Sequence, residues 1–306
     1  MVALLSSVLP VICVVAIGAL ADRALQLDIA TLSRIILYIL SPALIVDVLY
    51  RTEMSSDSAS ELIWGFTVIY VVLGAMGWLI GRLFKLAKPT RTSLIATTAF
   101  PNTGNMGLSI SLFALGEAGL DRATVVLLVS SVLVFSTGPA LLRGGGWRSV
   151  IGLTLRLPLI WAVVLGFGLR WIGVLMGEGL GSSLPFDLDR GLELLSQATI
   201  PVALLMLGMQ ISRNPIRLSP YTIGASLMRT VGGGAVAMVV TWGLGIGGLE
   251  QQTLILQCAM PAAVTSFVMA SELGSDGART GQVVALSTLL SFVTLPCWLW
   301  AIGVGR

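Results

Sequence analysis

Ala-Phe-Pro-Asn-Thr-Gly-Asn-Met-Gly at residues 99–107 and Ala-Met-Pro-Ala-Ala-Val-Thr-Ser at residues 259–266 each lie inside a long apolar segment of this chain. Their prolines, Pro101 and Pro261, are 160 positions apart. A proline inside a helix removes a backbone hydrogen-bond donor and clashes with the preceding turn. The sequence therefore predicts two helices that are each broken near the midpoint.

The composition is that of an integral membrane protein. Of the 306 residues, 56% are hydrophobic and only 11% are charged, and the mean hydropathy is +0.94. Apolar runs near the roughly 20 residues that cross a bilayer recur along the chain. The first run, Leu4 to Leu20, has no basic residue before it and is followed by Asp22 and Arg23, which favours a first span over a signal peptide.

We predict an all-α membrane protein with about ten transmembrane helices. They cover approximately 3–21, 30–50, 62–82, 92–115, 121–142, 154–175, 190–210, 220–243, 250–272 and 280–303. Of the 18 lysines and arginines, eleven fall in loops on one side and four on the side of both termini. Basic loops face the cytoplasm, so we expect a multi-pass protein of the cell membrane (inner or plasma membrane) with both termini outside.

Prolines also indicate an internal repeat. Four of them recur in the same order in the two halves of the chain, 1–148 and 149–306. The pairs are Pro10 with Pro158, Pro42 with Pro201, Pro101 with Pro261, and Pro139 with Pro296. Each half holds five spans, an odd number, so the halves must have opposite orientations in the membrane. The sequence predicts two inverted five-helix repeats, an arrangement typical of secondary transporters with a site at the midplane.

Polar residues around the two breaks are the candidate substrate-binding residues. Backbone at bilayer depth tolerates interruption only beside protein or a watery cavity. A broken helix also exposes amide donors at the start of its second half, which suits a carboxylate. The candidates are Asn102, Thr103, Gly104, Asn105, Thr265 and Ser266. The alternative is that these side chains only satisfy freed backbone carbonyls, which is as good an explanation for Thr265 and Ser266.

Arg229 and Asp47 are two of the charged residues that lie within the predicted spans. Arg229 is about nine residues into its span, roughly 13 Å from the inner end by helix rise, which is too deep for easy snorkelling. It could bind a second substrate carboxylate or form a structural pair. Asp47 lies four residues before Arg51, the favourable order for a helical ion pair.

Several classes of protein and site are disfavoured by the residues present. The chain has no histidine, which removes histidine-dependent zinc or nucleophilic catalysis, and we find no phosphate-binding loop. The three cysteines lie in apolar runs and are expected to be buried structural thiols. We therefore expect no enzyme, no metal site, no cofactor and no nucleic-acid partner. An intramembrane hydrolase would need a catalytic dyad that the spans do not provide.

Pro101-Asn102-Thr103-Gly104-Asn105-Met106-Gly107 resembles the fourth-span signature of the auxin efflux carrier family, which includes PIN-type carriers and bacterial malate and malonate permeases. Residues 260–267, followed by Ala270-Ser271-Glu272, resemble that family's ninth span. The resemblance covers essentially the whole chain. It implies the fold shared by bile-acid/sodium symporters and NhaA-like sodium/proton antiporters, with crossing broken helices 4 and 9.

The resemblance also implies how such a protein works. Helices 1, 2, 6 and 7 would form a scaffold and helices 3–5 and 8–10 a transport domain that moves organic anions by an elevator-like motion. Homodimers would form through helices 2 and 7. Pro101 and Asn102 correspond to the substrate-contacting crossover. The long central loop of plant carriers is missing, and Ala262-Ala263 replace a more polar pair, which argues against auxin itself as the substrate.

The leading hypothesis is a secondary active transporter of small organic anions, such as the dicarboxylates malate or malonate or an auxin-like carboxylate, with H⁺ or Na⁺ as possible coupling ions. One alternative is a sodium-coupled symporter of the bile-acid type, although the midplane offers no clear acid besides Asp47 for a sodium site. The alternative from another class is a non-transporting membrane receptor.

Overall fold

The computed structural model describes residues 2–51, 54–143, 158–175, 188–213, 217–272 and 275–304, and these are helical along most of their length. The predicted all-α class is confirmed. The helices are α1 (Val2–Leu25), α2 (Ile29–Ile35), α3 (Ser41–Arg51), α4 (Ser56–Leu83), α5 (Lys88–Ala99), α6 (Leu108–Arg143), α7 (Pro158–Leu175), α8 (Leu188–Arg213), α9 (Pro220–Leu227), α10 (Gly233–Gly243), α11 (Gly248–Ala259), α12 (Val264–Glu272) and α13 (Gly277–Ala301).

Six helical stretches within these ranges are long and apolar enough to cross a membrane. They are Ile29–Arg51, Ser56–Leu83, Thr103–Gly138, Asp189–Arg213, Pro220–Gly243 and Gly277–Ala301. Helix is also present in each of the ten segments expected from the sequence. The expected boundary between the two halves, at residue 148, lies outside the described residues.

Wider π-helical turns connect three pairs of helical segments. They are Ile36–Leu40 between α2 and α3, Thr103–Gly107 before α6, and Met228–Gly232 between α9 and α10. The first directly precedes Pro42, which has no N–H to donate to the carbonyl one turn earlier. A widened turn is a common local response to such a missing hydrogen bond.

A glycine separates the fourth and fifth predicted segments. Gly116, within α6, has φ 73° and ψ −168°, which no helical residue adopts. The predicted segments 92–115 and 121–142 lie on either side of it. Because glycine has no Cβ, it takes a positive φ at low cost. The interruption therefore lies at the residue that tolerates it best.

Two glycines bring α1 and α8 into close backbone contact. A Cβ added to Gly18 would collide with the carbonyl of Leu205, and one added to Gly208 would collide with the carbonyl of Val15. Small residues at such crossings let membrane helices approach closely. Near the ends of the same helices, Arg213 Nε donates to Asp22 Oδ2 at 2.9 Å. The α1–α8 pair is thus held by packing along its length and by an ion pair at one end.

The remaining contacts fall into two neighbourhoods. In one, α3 packs against α7 and α8, next to α1. In the other, α4 packs against α5 and α6, α11 packs against α10 and α6, and α13 packs against α9 and α12. The interrupted helices belong to the second neighbourhood, and α6 also contacts α1 and α3 of the first.

Candidate functional site

The two breaks meet, as the sequence predicts. Pro101 and Ala262 form an isolated antiparallel β-bridge. The Asn102 N–H donates to the Pro261 carbonyl at 2.8 Å, and the Ala263 N–H donates to the Phe100 carbonyl at 2.9 Å. Each interrupted helix therefore uses its unpaired backbone groups to bind the other, at a junction we call the crossing (residues 100–103 and 260–264).

The two prolines explain why both segments leave the helical conformation at this point. A residue before proline is pushed out of the α region by the proline ring. Phe100 accordingly has φ −100° and ψ 92°, and Met260 has φ −60° and ψ 152°, both extended. The Ala262 N–H, which would otherwise continue α11, donates to Ser287 Oγ of α13 at 3.1 Å.

A cavity of about 350 Å³ lies directly against the crossing. Its size is within the range of small-molecule sites, at the lower end. Both interrupted helices line it, including α6 and α12. The other walls come from α2, the π-helical turn Ile36–Leu40, α3, α7 and α8. The lining residues are Ser33, Ile36, Leu37, Ser41, Pro101, Asn102, Thr103, Gly104, Asn105, Leu127, Ser130, Ser131, Val134, Phe135, Leu159, Met206, Gln210, Ala263, Val264, Thr265 and Val268.

Asn102 presents a donor that no described residue accepts from. Its side chain is 5% exposed, and its Nδ2 is buried with no acceptor among the described residues. A buried donor that stays unsatisfied costs about 1–3 kcal/mol. A ligand or an ordered water normally accepts from such a group. A ligand oxygen in the cavity would satisfy it.

Helix ends supply the electrostatic character of the cavity. Its lining includes the first residues of both second halves, Thr103–Asn105 before α6 and Val264–Thr265 in α12. A helix N-terminus carries about half a positive charge and exposes backbone N–H groups. The described residues that line the cavity include no charged side chain. The cavity therefore favours an anion through peptide dipoles and amides.

Thr103, Gly104, Asn105 and Thr265 are all brought together at the cavity, as expected from the sequence. Gly104 does not have a positive φ, so its backbone conformation does not require a glycine. A Cβ there would meet only Leu127 Cδ1 at 3.5 Å, an ordinary contact. Its contribution is therefore an open, unobstructed wall.

Two of the expected ligands lie elsewhere. Ser266 is fully buried, and its hydroxyl donates to the Ala263 carbonyl, the structural role that the sequence left open. Arg229 is also fully buried and donates to the carbonyls of Thr98, Cys258 and Met260. Neither residue lines the cavity, so the structure does not bring them together with the other candidate ligands.

Other lining residues were not singled out from the sequence. Gln210 of α8 and Ser33 of α2 bring polar atoms from the opposite wall, and Ser130 and Ser131 of α6 also line the cavity. Gln210 is a polar residue that directly follows the apolar run from Val202 to Met209. This position indicates how deep the side chain lies in the membrane, but it does not indicate the face of the helix on which it lies.

The Asp47–Arg51 ion pair predicted from the sequence is confirmed. Arg51 Nε lies 2.8 Å from Asp47 Oδ1. Arg51 also approaches Glu193 at 3.5 Å and Asp189 at 3.9 Å, both on α8. The cluster links α3 to α8, and none of its residues lines the cavity.

Sequence comparison decides the family. The family described as "Membrane transport protein" matches residues 3–299, nearly the whole chain. The chain belongs to this auxin efflux carrier family. The resemblance seen in residues 101–107 and 260–267 is thereby confirmed, and this family member is an integral membrane transport protein.

Three relatives show how far the similarity extends. The family member is 25% identical over 277 residues to an uncharacterized transporter of Methanocaldococcus jannaschii, covering 88% of both proteins. It is 25% identical over 290 residues to a Rhizobium meliloti protein named "Putative malonate transporter", covering 90% of this chain and 87% of the relative. Auxin efflux carrier component 1 of Arabidopsis thaliana is 28% identical over 139 residues, 42% of this chain and 22% of that protein.

Proposed function

We propose that this family member is a secondary active transporter of small organic anions, with dicarboxylates of the malonate and malate size as the leading substrates. The observation that carries the proposal is the Asn102 Nδ2, which has no acceptor among the described residues and lies at the wall of the cavity together with the starts of two helices. A carboxylate would accept a hydrogen bond from this amide and gain from both positive helix ends. Asn105, Thr103 and Thr265 offer further polar contacts within the same walls.

The choice of substrate class rests on size and charge. A cavity of about 350 Å³ suits a small molecule, and its attraction comes from donors and dipoles, which an anion uses best. The name of the Rhizobium meliloti relative supports a dicarboxylate. An auxin-like carboxylate has only the partial similarity to the Arabidopsis protein in its favour, and Ala262-Ala263 argue against it.

For the architecture, we propose ten spans in two inverted five-helix repeats, with the fold of bile-acid/sodium symporters and NhaA-like antiporters. The antiparallel crossing of two proline-broken helices supports the inversion. The two neighbourhoods of helix contacts support a division into a scaffold (spans 1, 2, 6 and 7) and a transport domain (spans 3–5 and 8–10). The cavity lies between them, so an elevator-like movement of the transport domain would carry the crossing and its cargo.

The placement in the cell follows from the charge distribution. We propose a cell-membrane protein with both termini outside the cytoplasm, because the basic loops then face inward. We also propose a homodimer formed through the second and seventh spans. Exposed apolar side chains on those spans, Tyr38 and Ile39 on one and Leu194 on the other, are compatible with such contacts.

The test is uptake of radiolabelled malonate by the purified protein in proteoliposomes. Two neighbouring substitutions form a matched pair: Thr265→Val removes a hydroxyl at the cavity wall, and Ser266→Ala removes one behind it. We expect uptake by the wild type, a several-fold lower uptake by Thr265→Val and near-normal uptake by Ser266→Ala. Binding of malonate without uptake would refute the carrier function in favour of a receptor. Absence of both binding and uptake across small carboxylates would refute the substrate class.

A further inference from the structure

The breaks leave backbone carbonyls without their usual partners. In a continuous helix the Thr98 carbonyl would accept from the N–H of Asn102, and the Cys258 carbonyl from that of Ala262. Here the Asn102 N–H goes to Pro261, and the Ala262 N–H goes to Ser287. The first halves, α5 and α11, therefore end with freed carbonyls at the crossing.

Arg229 donates hydrogen bonds to these carbonyls. Its Nη1 donates to Thr98 at the end of α5, its Nη2 donates to Cys258, and its Nε donates to Met260 at 3.1 Å, both at the end of α11. One side chain thus joins the C-terminal ends of both interrupted helices. The π-helical turn Met228–Gly232 in which it lies brings the guanidinium to this point from α9 and α10.

No carboxylate of the described residues pairs with this buried cation. A fully buried charge without compensation would be very costly. The compensation here comes from the peptide dipoles, since each helix C-terminus carries about half a negative charge and two such ends amount to about one. The guanidinium and the two helix ends therefore balance without an acidic side chain.

We propose that Arg229 is a resident cation of the crossing, occupying the carbonyl cluster that could otherwise coordinate an exchangeable Na⁺. Unwound carbonyls and half-helix C-termini are the groups that bind coupling cations in carriers with broken helices. Arginine remains protonated at any relevant pH, so this positive charge is permanent. The consequence for transport, which depends on the proposed carrier function, is that anion movement does not require Na⁺ at the crossing.

Chemical rescue tests the proposal without any transport measurement. Arg229→Ala should leave a hole lined by the three carbonyls, and the unfolding midpoint of the detergent-purified protein should fall by about 5 °C or more. About 20 mM guanidinium chloride should restore much of this loss, and choline chloride at the same ionic strength should not. Arg229→Met fills the hole without a charge, so guanidinium should not rescue it. The wild-type midpoint should be the same in NaCl and in choline chloride.

Three results would overturn the proposal: an Arg229→Ala protein as stable as the wild type, absence of rescue by guanidinium, or specific stabilisation of the wild type by Na⁺ over choline. Where Arg229→Ala yields no folded protein, Arg229→Lys and Arg229→Met decide, since only the lysine variant should fold. Equal yields of folded protein from these two would count against a resident cation. Malonate uptake in Na⁺-free proteoliposomes tests the transport consequence separately, so a failed uptake assay leaves the stability result intact.

Discussion

Replacing Asn102 by alanine should separate ligand binding from stability. A hydrogen bond from its amide to a carboxylate is worth about 1.5–3 kcal/mol, which corresponds to a loss of affinity of about 10- to 150-fold. The free protein should respond differently. There no described residue accepts a hydrogen bond from the Nδ2, so the substitution breaks no hydrogen bond from this donor within the described protein and costs mainly lost packing. We therefore expect the ligand-free midpoint to change by no more than about 2–4 °C.

The assay is thermal unfolding of the purified protein with and without malonate. At a concentration of about 100 times the wild-type Kd, the ligand should stabilise the wild type by about 2.7 kcal/mol, and a 100-fold weaker variant by only about 0.4 kcal/mol. Ser109→Ala is the matched control, because Ser109 is buried nearby, donates to the Asn105 carbonyl at 3.1 Å and does not line the cavity. Wild-type affinity in Asn102→Ala, or a large loss of ligand-free stability, would refute the assignment of Asn102 as a substrate ligand.

Three further predictions concern packing, the break and an ion pair. Gly208→Ala places a methyl group against the Val15 carbonyl and should lower the free energy of unfolding by about 1–3 kcal/mol. The control is Gly191→Ala on the same helix, whose added methyl group meets nothing within 4 Å and should be neutral or slightly stabilising. Equal unfolding midpoints for the two variants would contradict the close α1–α8 contact. Pro261→Ala returns a backbone donor to the second break and should reduce malonate uptake in proteoliposomes more than it reduces the midpoint; unchanged uptake would show that the break is dispensable. Arg122→Gln removes the 2.8 Å pair with Glu250 and should lower the free energy of unfolding by about 1 kcal/mol. High salt screens the pair and should reduce the stability difference between the wild type and the variant; a difference that salt leaves unchanged would contradict this role.

Much of the crossing could be predicted because proline acts locally. Pro101 and Pro261 favour the extended conformations of Phe100 and Met260. Proline alone does not decide a break, because Pro10, Pro201 and Pro296 lie inside continuous helices. The Asp47–Arg51 pair was also predictable from local geometry, since one helical turn brings the two side chains together.

The roles of Arg229 and Ser266 could not be predicted, because they depend on the direction in which each side chain points within its segment. Sequence indicates that Arg229 is deep in the membrane, but both a substrate and a carbonyl cluster would satisfy a deep cation. The π-helical turn that contains it rotates the side chain toward the ends of α5 and α11, and nothing in Met228–Gly232 predicts that rotation. Thr265 and Ser266 are adjacent and chemically alike, yet only Thr265 faces the cavity.

The opposite wall was the least predictable part of the site. Ser33 and Gln210 lie on segments remote in sequence from either break, and α2 and α8 bring them to the cavity only through tertiary packing. A single sequence shows that such residues are polar in an apolar setting. Which of them share a space depends on long-range contacts, for which a local pattern gives no information.

Membrane voltage should act on this carrier in a way set by the buried guanidinium. If the crossing travels through the bilayer field, Arg229 travels with it, because its three donors hold both moving helices. The helix dipoles balance the guanidinium locally but add no net charge, because each helix has a positive and a negative end. An empty crossing would then carry the one positive charge of Arg229, a crossing loaded with a monoanion would carry none, and one loaded with a dianion would carry one negative charge. Each elementary charge moved through a potential of 100 mV corresponds to about 2.3 kcal/mol. A polarised membrane would therefore drive the empty and the dianion-loaded steps in opposite directions.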